Sequence, residues 1–425
     1  MKTRFYNARI LTMTEPLEII EGEVHVIDDK IIYVGNKPSS CDVFDEEIDC
    51  GKNLLMPGFK NAHTHSGMTV LRSLADDLPL SDWLNNAIFP VEAKMTPEDI
   101  YSMSKLACLE YLTSGITACF DMYLTPESIA SSMDDFGFRC VQVGAMNNFS
   151  QSLDLIEKMY TEYNKPDSLQ SYILGFHAEY TTSPELMKGL ATLADKYKAP
   201  VFTHLAETKA EVDGCIERYG MTPLALLDSY GMFNYGGGIY HGVYLSDEDI
   251  KIMKERKLYV VTNPSSNIKL ASGICPIDKY LSEGIKIAIG TDGPASNNCL
   301  DMFREMFLVT GLSKVNSMDA SSVDALDVLR MATVNGAHAM GLNDCDVLAE
   351  GKKADMIMID LNMPNMQPLN NIMKNIVYSG SKINVKMTMI NGRILYKDGK
   401  FFTNEEPQKI YDEVTAIKKR IIDGK

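Results

Sequence analysis

Two histidines, His63 and His65, stand one residue apart at the end of an apolar run, Leu54-Leu55-Met56-Pro57-Gly58-Phe59-Lys60-Asn61-Ala62-His63-Thr64-His65. In an extended chain residues i and i+2 project to the same face, so both imidazoles can converge on one point. The commonest point that imidazoles share is a metal ion. A lone His-x-His pair is a weak signal, and the other histidines strengthen it. The chain has only seven, and His177, His204 and His241 each close a short apolar segment. Asp292 follows another, Ile287-Ala288-Ile289-Gly290-Thr291-Asp292. Three imidazoles and one carboxylate satisfy Zn²⁺ or Fe²⁺ and leave a position for water. An ion so held brings the pKa of its water toward neutrality. Asp292 can accept the water's proton. Glu207, in His204-Leu205-Ala206-Glu207, can lean over the ion and shuttle a proton. His25 and His338 lie elsewhere and read as packing or surface residues.

These groups need a scaffold that gathers them. Residues 54–56 leading to His63, then 116–121, 139–145, 172–177, 201–204, 238–241, 258–262 and 285–290, read as buried strands. Amphipathic helical stretches such as 97–114 and 184–197 lie between most of them. That alternation describes an α/β fold, a closed (β/α)₈ TIM barrel, whose catalytic groups stand at the C-terminal strand ends. The histidines and Asp292 fall at those ends. An open doubly wound sheet is the competing reading, and the lack of a G-x-G-x-x-G after the first strand weakens its dinucleotide-binding form. Both ends of the chain are β-rich. Residues 9–13, 23–27 and 30–35 are strand-like, with Asp28-Asp29 as a turn. Residues 354–359, 386–390 and 393–396 resume the style, the last two joined by the hairpin signal Asn391-Gly392. The expected organisation is an accessory β-sandwich built from both termini. Residues 1–55 and 346–404 form it, residues 56–345 form the barrel, and a helix covers 405–425.

Composition narrows the function. At 425 residues, with 45% hydrophobic side chains, a barrel plus an accessory domain has ample core. A net charge of −16 argues against nucleic acid and anionic membrane surfaces as partners. Acidic residues at Glu15, Glu18 and Glu21 interrupt the N-terminal region, so no signal peptide or membrane span is expected. Nine cysteines are scattered from Cys41 to Cys345 without a C-x-x-C pair, which fits reduced, mostly buried thiols and a cytoplasmic location.

The motifs together resemble the amidohydrolase superfamily, and most closely its 5-methylthioadenosine/S-adenosylhomocysteine deaminase branch. The stretches that carry the resemblance are 56–65, Phe120-Asp121-Met122-Tyr123, His204-Leu205-Ala206-Glu207-Thr208, 263–270, 290–298 and Glu350-Gly351-Lys352-Lys353-Ala354-Asp355. The resemblance implies metal ligands at His63, His65, His204 and Asp292, a proton-shuttling Glu207, and His241 contacting water or an intermediate. It implies that His177 reaches the substrate base and that Glu92 binds the ribose. Trp83, the only tryptophan, is expected in the same loop as Glu92 and covers the nucleoside or serves as a core aromatic. Binuclear relatives carry a carboxylated lysine at the end of strand four. Here that strand reads Ile173-Leu174-Gly175-Phe176-His177, so one divalent ion is expected, Zn²⁺ before Fe²⁺, with no organic cofactor. A small-molecule substrate and a homo-oligomer are the expected partners.

The implied reaction is hydrolytic deamination of an adenine-like ring, with protonated Glu207 donating to the ring nitrogen and Asp292 passing a proton to departing ammonia. Two positions depart from the branch. The region after strand three, 142–149, has no arginine or lysine, which puts a carboxylate-bearing substrate in doubt unless Arg72, Arg139 or a neighbouring subunit supplies the cation. The loop after strand four reads Ala178-Glu179-Tyr180, where the branch commonly has Ser-Pro-Tyr or a similar run, and Glu179 is expected to alter selectivity near the base. Deamination of a guanine, pterin or triazine, opening of a cyclic amide, and a non-enzymatic scaffold are the other readings.

Overall fold

The computed structural model describes residues 1–36 and 43–424, which leaves Cys41 outside the described residues. Eight parallel strands follow one another around a barrel: Phe59–Thr64, Ile116–Asp121, Arg139–Val143, Gln170–Ala178, Val201–Leu205, Gly237–His241, Tyr259–Thr262 and Lys286–Ile289. Strands two, three, five and six are buried along their whole length. Such strands, covered on both faces, read as near-continuous apolar runs rather than alternating ones. Strands one and eight meet at a seam stitched by Asn61. Its Oδ1 accepts from Thr291 N at 2.8 Å and its Nδ2 donates to Thr291 Oγ1 at 2.7 Å, while Asp292 N donates to His63 O at 2.9 Å. Gly290 makes that approach possible, since a Cβ there would lie 2.6 Å from the His63 Cβ.

The helices start where the sequence says they should. Thr96 and Asp99 form a reciprocal capping box before Pro97–Thr113, and Ser183 caps Pro184–Tyr197 through Leu186 N. Lys198, left-handed at φ 52°, ends the second of these.

The first strand differs from the sequence expectation. Residues Leu54–Pro57 do not enter the barrel. They pair with Lys2–Leu11 on one side and with Met356–Ile359 on the other. The barrel strand begins only at Phe59, after the joint Pro57-Gly58. A Cβ at Gly58 would come within 2.1 Å of the Thr117 side chain, so the joint requires glycine. One unbroken apolar run thus serves two sheets.

The terminal sheet has nine strands drawn from both ends of the chain. The hydrogen bonding runs continuously from the C-terminal hairpins through Leu54–Pro57 to the N-terminal strands. Phe5, Ile10, Val24, Ile31, Met356, Met358 and Met387 share one apolar core within it. Asn391 and Gly392, at φ 51° and 74°, make the two-residue turn between Val385–Ile390 and Arg393–Lys397. Arg139 and Asp355 fasten sheet to barrel through a buried pair, with Nε–Oδ2 at 2.6 Å and Nη2–Oδ1 at 3.0 Å. The last helix, Pro407–Ile421, returns to the barrel. Buried Lys105 bonds Glu405 at 2.9 Å and Glu413 at 3.1 Å. Among the described residues no helix is long and apolar enough to cross a membrane.

Candidate active site

An inner layer of aromatic side chains forms the floor of the site. Phe120, Phe202 and Tyr240 come from strands two, five and six, and the Phe120 and Phe202 rings meet edge to face at 4.9 Å. The His63 imidazole stacks on Tyr240 with ring centroids 3.8 Å apart. Above this floor the strand ends deliver the polar groups. His63 lies in strand one and His65 just beyond it. His177, His204 and His241 close strands four, five and six, and Asp292 follows strand eight. Three backbones here take left-handed conformations without glycine: Ala206 at φ 54°, His241 at 72° and Asp292 at 59°. Each such residue costs about 1–3 kcal/mol.

The hydrogen bonds behind the histidines decide which nitrogens face inward. His204 Nδ1–H donates to the His177 carbonyl at 2.8 Å, and His65 Nδ1–H donates to the Met122 carbonyl. His241 Nδ1–H donates to Asn267 Oδ1 at 2.8 Å. Each of these rings therefore presents an Nε2 lone pair to the site. His204 Nε2 faces His63 Nε2 at 3.1 Å, and His65 Nε2 faces Asp292 Oδ1 at 3.1 Å. Burial holds His63 at a pKa of about 3 and His204 well below the ordinary range, so both stay neutral donors of electron pairs. Burial opposes ionisation of Asp292, but its contacts with His63 and with His65, whose own pKa is raised beside it when no metal intervenes, outweigh burial and hold the carboxylate well below its usual range. Asp292 is positioned by Gly293 N at 2.7 Å on Oδ1, and by Ser266 and Ser296 hydroxyls at 2.6 and 2.8 Å on Oδ2. Lone pairs aimed at one another and at a carboxylate repel unless a cation lies among them. The donor set thus fits a divalent ion. Two triads within this set have ligand atoms all within 4.8 Å of one another: His63, His65 and Asp292, and His63, His204 and His241.

Glu207 is buried beside this set. Its Oε1 accepts from the Ser272 hydroxyl at 3.1 Å, and its Oε2 lies 3.7 Å from His241 Nε2. Burial raises its pKa, with Asp292 adding to the effect and His241 opposing it. Glu211 fixes the turn that carries it, accepting the Ala206 and Glu207 amides at 2.8 and 2.9 Å. A cavity opens above this set. His65, His177, His204, Glu207, His241 and Asp292 line it on one side, and Trp83, Glu92 and Tyr123 on another. Glu92 is held by the Tyr123 hydroxyl, which donates at 2.7 Å, and burial raises its pKa. Trp83 is 5% exposed, so it is a packed aromatic and a cavity wall at once. Its segment is helical rather than a loop, running through Trp83–Ile88 into Phe89–Glu92.

A model of the amidohydrolase family matches residues 54–395. The chain belongs to the amidohydrolase family. Relatives of this amidohydrolase match over nearly their whole length. A protein of Caldanaerobacter subterraneus subsp. tengcongensis named 5-methylthioadenosine/S-adenosylhomocysteine deaminase is 38% identical over 429 residues, covering 98% of each chain. A 5′-deoxyadenosine deaminase of Methanothermobacter thermautotrophicus is 39% identical over 395 residues, covering 91% of this chain and 92% of its own. Among solved structures, an adenosine deaminase from Xanthomonas campestris with bound zinc superposes at a TM-score of 0.94. It is 31% identical and covers 99% of this chain and 98% of that one.

The amidohydrolase site brings together every residue that the sequence nominated, but not the two arginines. Arg72 bonds Glu110 at 2.5 Å and the Asn298 carbonyl at 3.1 Å, and Arg139 is committed to Asp355. Neither lines the cavity. His177 is held through Nδ1 by Thr181 Oγ1 at 2.9 Å. His25 packs between Tyr33 and Phe44, and His338 pairs with Asp346 at 2.8 Å, away from the site. Sequence reasoning gave no role to Tyr123, Tyr240, Ser266, Ser272, Asn267 or Ser296. Several stand in stretches that already carried the resemblance, so proximity to a ligand motif was the available signal.

Proposed function

We propose that this amidohydrolase is a metal-dependent aminohydrolase that deaminates an adenine nucleoside and releases ammonia. The reading rests above all on one juxtaposition. A buried carboxyl disposed to hold a proton, Glu207, stands beside a ready-made donor set in a chain whose full-length relatives carry adenine-nucleoside deaminase names.

His63, His65, His204 and Asp292 would hold one divalent ion, Zn²⁺ before Fe²⁺. When bound, that ion supplies an activated water at neutral pH. The residues do the rest. Asp292 Oδ1, ionised and anchored through Gly293 N, takes the water's proton and later passes it to the departing amine. Glu207 gives its proton to the ring nitrogen next to the reacting carbon and regains one from the hydroxyl added there as the carbon–nitrogen bond breaks. Its anchor Ser272 fixes Oε1, which leaves Oε2 to face the reacting centre and His241. His241, fixed by Asn267, offers Nε2 to the oxygen that adds to the ring. Glu92 and Tyr123, as one hydrogen-bonded pair, meet the ribose hydroxyls, and His177 approaches the base. Among the described residues no lysine lines the cavity, which counts against a binuclear cyclic-amide hydrolase.

A cytoplasmic location belongs to the same proposal. Every described cysteine is free and all but Cys299 are buried, which suits a reducing compartment. A homo-oligomer is proposed as well, and light scattering at working concentration tests it.

The test of the function is ammonia release from zinc-loaded protein across 5′-methylthioadenosine, S-adenosylhomocysteine, adenosine, 5′-deoxyadenosine, adenine and guanine. Turnover of the nucleosides above the free bases is expected. Preference for guanine, or no turnover of any nucleoside, contradicts the proposal.

A further inference from the structure

A second recess opens beside the catalytic cavity and shares Leu80, Leu84, Phe89 and Tyr180 with it. A substituent leaving the nucleoside through this shared wall would enter the recess. Its surface is largely apolar, with Phe149 at the rim 89% exposed. Among the residues lining the two cavities, Arg218 is the only lysine or arginine.

Arg218 is not free. It sits near the end of the helix Lys209–Tyr219, and its Nη2 donates to Glu179 Oε2 at 2.5 Å. The pair is lopsided: the Glu179 side chain is 2% exposed and the Arg218 side chain 44%. Glu179 opens the short turn Glu179–Thr181 that leaves strand four, two residues after His177 and next to Tyr180 of the shared wall. A buried carboxylate thus lies behind the one guanidinium that the recess can offer.

We propose that Glu179 sets the selectivity for the nucleoside's 5′ tail. By neutralising Arg218 from behind, it leaves the recess suited to uncharged, apolar tails and unreceptive to a tail ending in a carboxylate. The proposal rests on the deaminase reading above. A carboxylate-tailed substrate would have to share a guanidinium that a fixed internal anion already occupies. Replacing that anion by a neutral isostere would turn Arg218 into a receptor for exactly the group now disfavoured.

The experiment compares kcat/KM for 5′-methylthioadenosine and S-adenosylhomocysteine in the wild type, Glu179→Gln, Arg218→Met and the double variant. The wild type should favour the methylthio substrate. Glu179→Gln should move the ratio toward S-adenosylhomocysteine by about tenfold or more, the worth of a charge-assisted contact. The shift should lie in KM, shrink with added salt and vanish in the double variant. Arg218→Met alone should leave the ratio where it was. The inference is overturned if the ratio does not move in Glu179→Gln. It is also overturned if Arg218→Met alone costs S-adenosylhomocysteine tenfold against the methylthio substrate, because Arg218 then already binds the carboxylate. That second arm decides the matter even if Glu179→Gln fails to fold. Failure of the wild type to deaminate either nucleoside would overturn the functional reading together with this one. Deamination of both with an unmoved ratio would overturn this one alone.

Discussion

Replacing Glu207 by glutamine removes a proton carrier and almost nothing else. The side chain keeps its length, and its amide oxygen can still accept from Ser272 Oγ, now at 3.1 Å. The turn beneath it is held by Glu211 through main-chain amides, which the change does not touch. Metal content and fold should therefore survive. The amide cannot give up a proton as a carboxylic acid does, so general acid–base catalysis at this point is lost. That contribution is roughly 10²–10⁴ in rate, or about 3–5.5 kcal/mol of barrier. Glu207→Asp separates chemistry from position. It keeps the acid but withdraws it by one methylene, and a misplacement of about 1 Å can cost on the order of 10²-fold. Measuring kcat at saturating nucleoside, with metal content determined on the same samples, tests both. A Glu207→Gln variant that keeps its metal and turns over within about threefold of wild type refutes the role assigned to Glu207.

Other consequences follow from named contacts. His204→Ala should lower metal content well below one ion per chain by elemental analysis, and full activity in that variant would contradict the ligand assignment; two ions per active wild-type chain would contradict the single-ion reading. Tyr123→Phe removes the hydrogen bond that orients Glu92 and should raise KM about three- to tenfold with little change in kcat, a neutral or charged hydrogen bond being worth roughly 0.5–1.5 kcal/mol or somewhat more. Arg139→Met strands the buried Asp355 carboxylate. The loss of about 3–5 kcal/mol, set against roughly 2.1 cal/mol/K per residue over 425 residues, lowers Tm by about 3–6 °C at neutral pH. The pH dependence gives its sign. Burial raises the Asp355 pKa and Arg139 outweighs it, so the native value is depressed, and the stabilisation is present above about pH 4 and lost as pH falls through the native pKa. Without Arg139 the burial effect remains, and the Tm deficit should shrink on acidification from pH 7 toward 5; a deficit independent of pH would refute the electrostatic assignment.

The barrel was legible because its strands are buried on both faces and each ends in a chemically conspicuous residue. His177, His204 and His241 mark three strand ends, and the structure brings them together with His63, His65 and Asp292 at the barrel mouth. The passage from 54 to 59 was not legible. Apolar character is the same in both sheets, and only the steric demand at Gly58 against Thr117 separates them. The supporting hydrogen bonds were hidden for a different reason. Ser266, Ser272 and Asn267 come from the strand-seven side of the barrel and reach Asp292, Glu207 and His241 across the mouth, a relation that no local spacing encodes. The segment after strand three has no cation, and the sequence pointed to Arg72 and Arg139 as substitutes; Arg218, paired with Glu179 39 residues away, went unnoticed. Their pairing is a fact of three dimensions.

The most direct test of the central claim is steady-state ammonia release by the zinc-reconstituted protein with 5′-methylthioadenosine, compared with the same protein after metal removal. The account predicts turnover with conversion of the adenine ring to hypoxanthine, loss of activity on chelation, and recovery on adding back one equivalent of zinc. Release of no ammonia by the protein carrying one equivalent of zinc, or undiminished release by the metal-free protein, would contradict it.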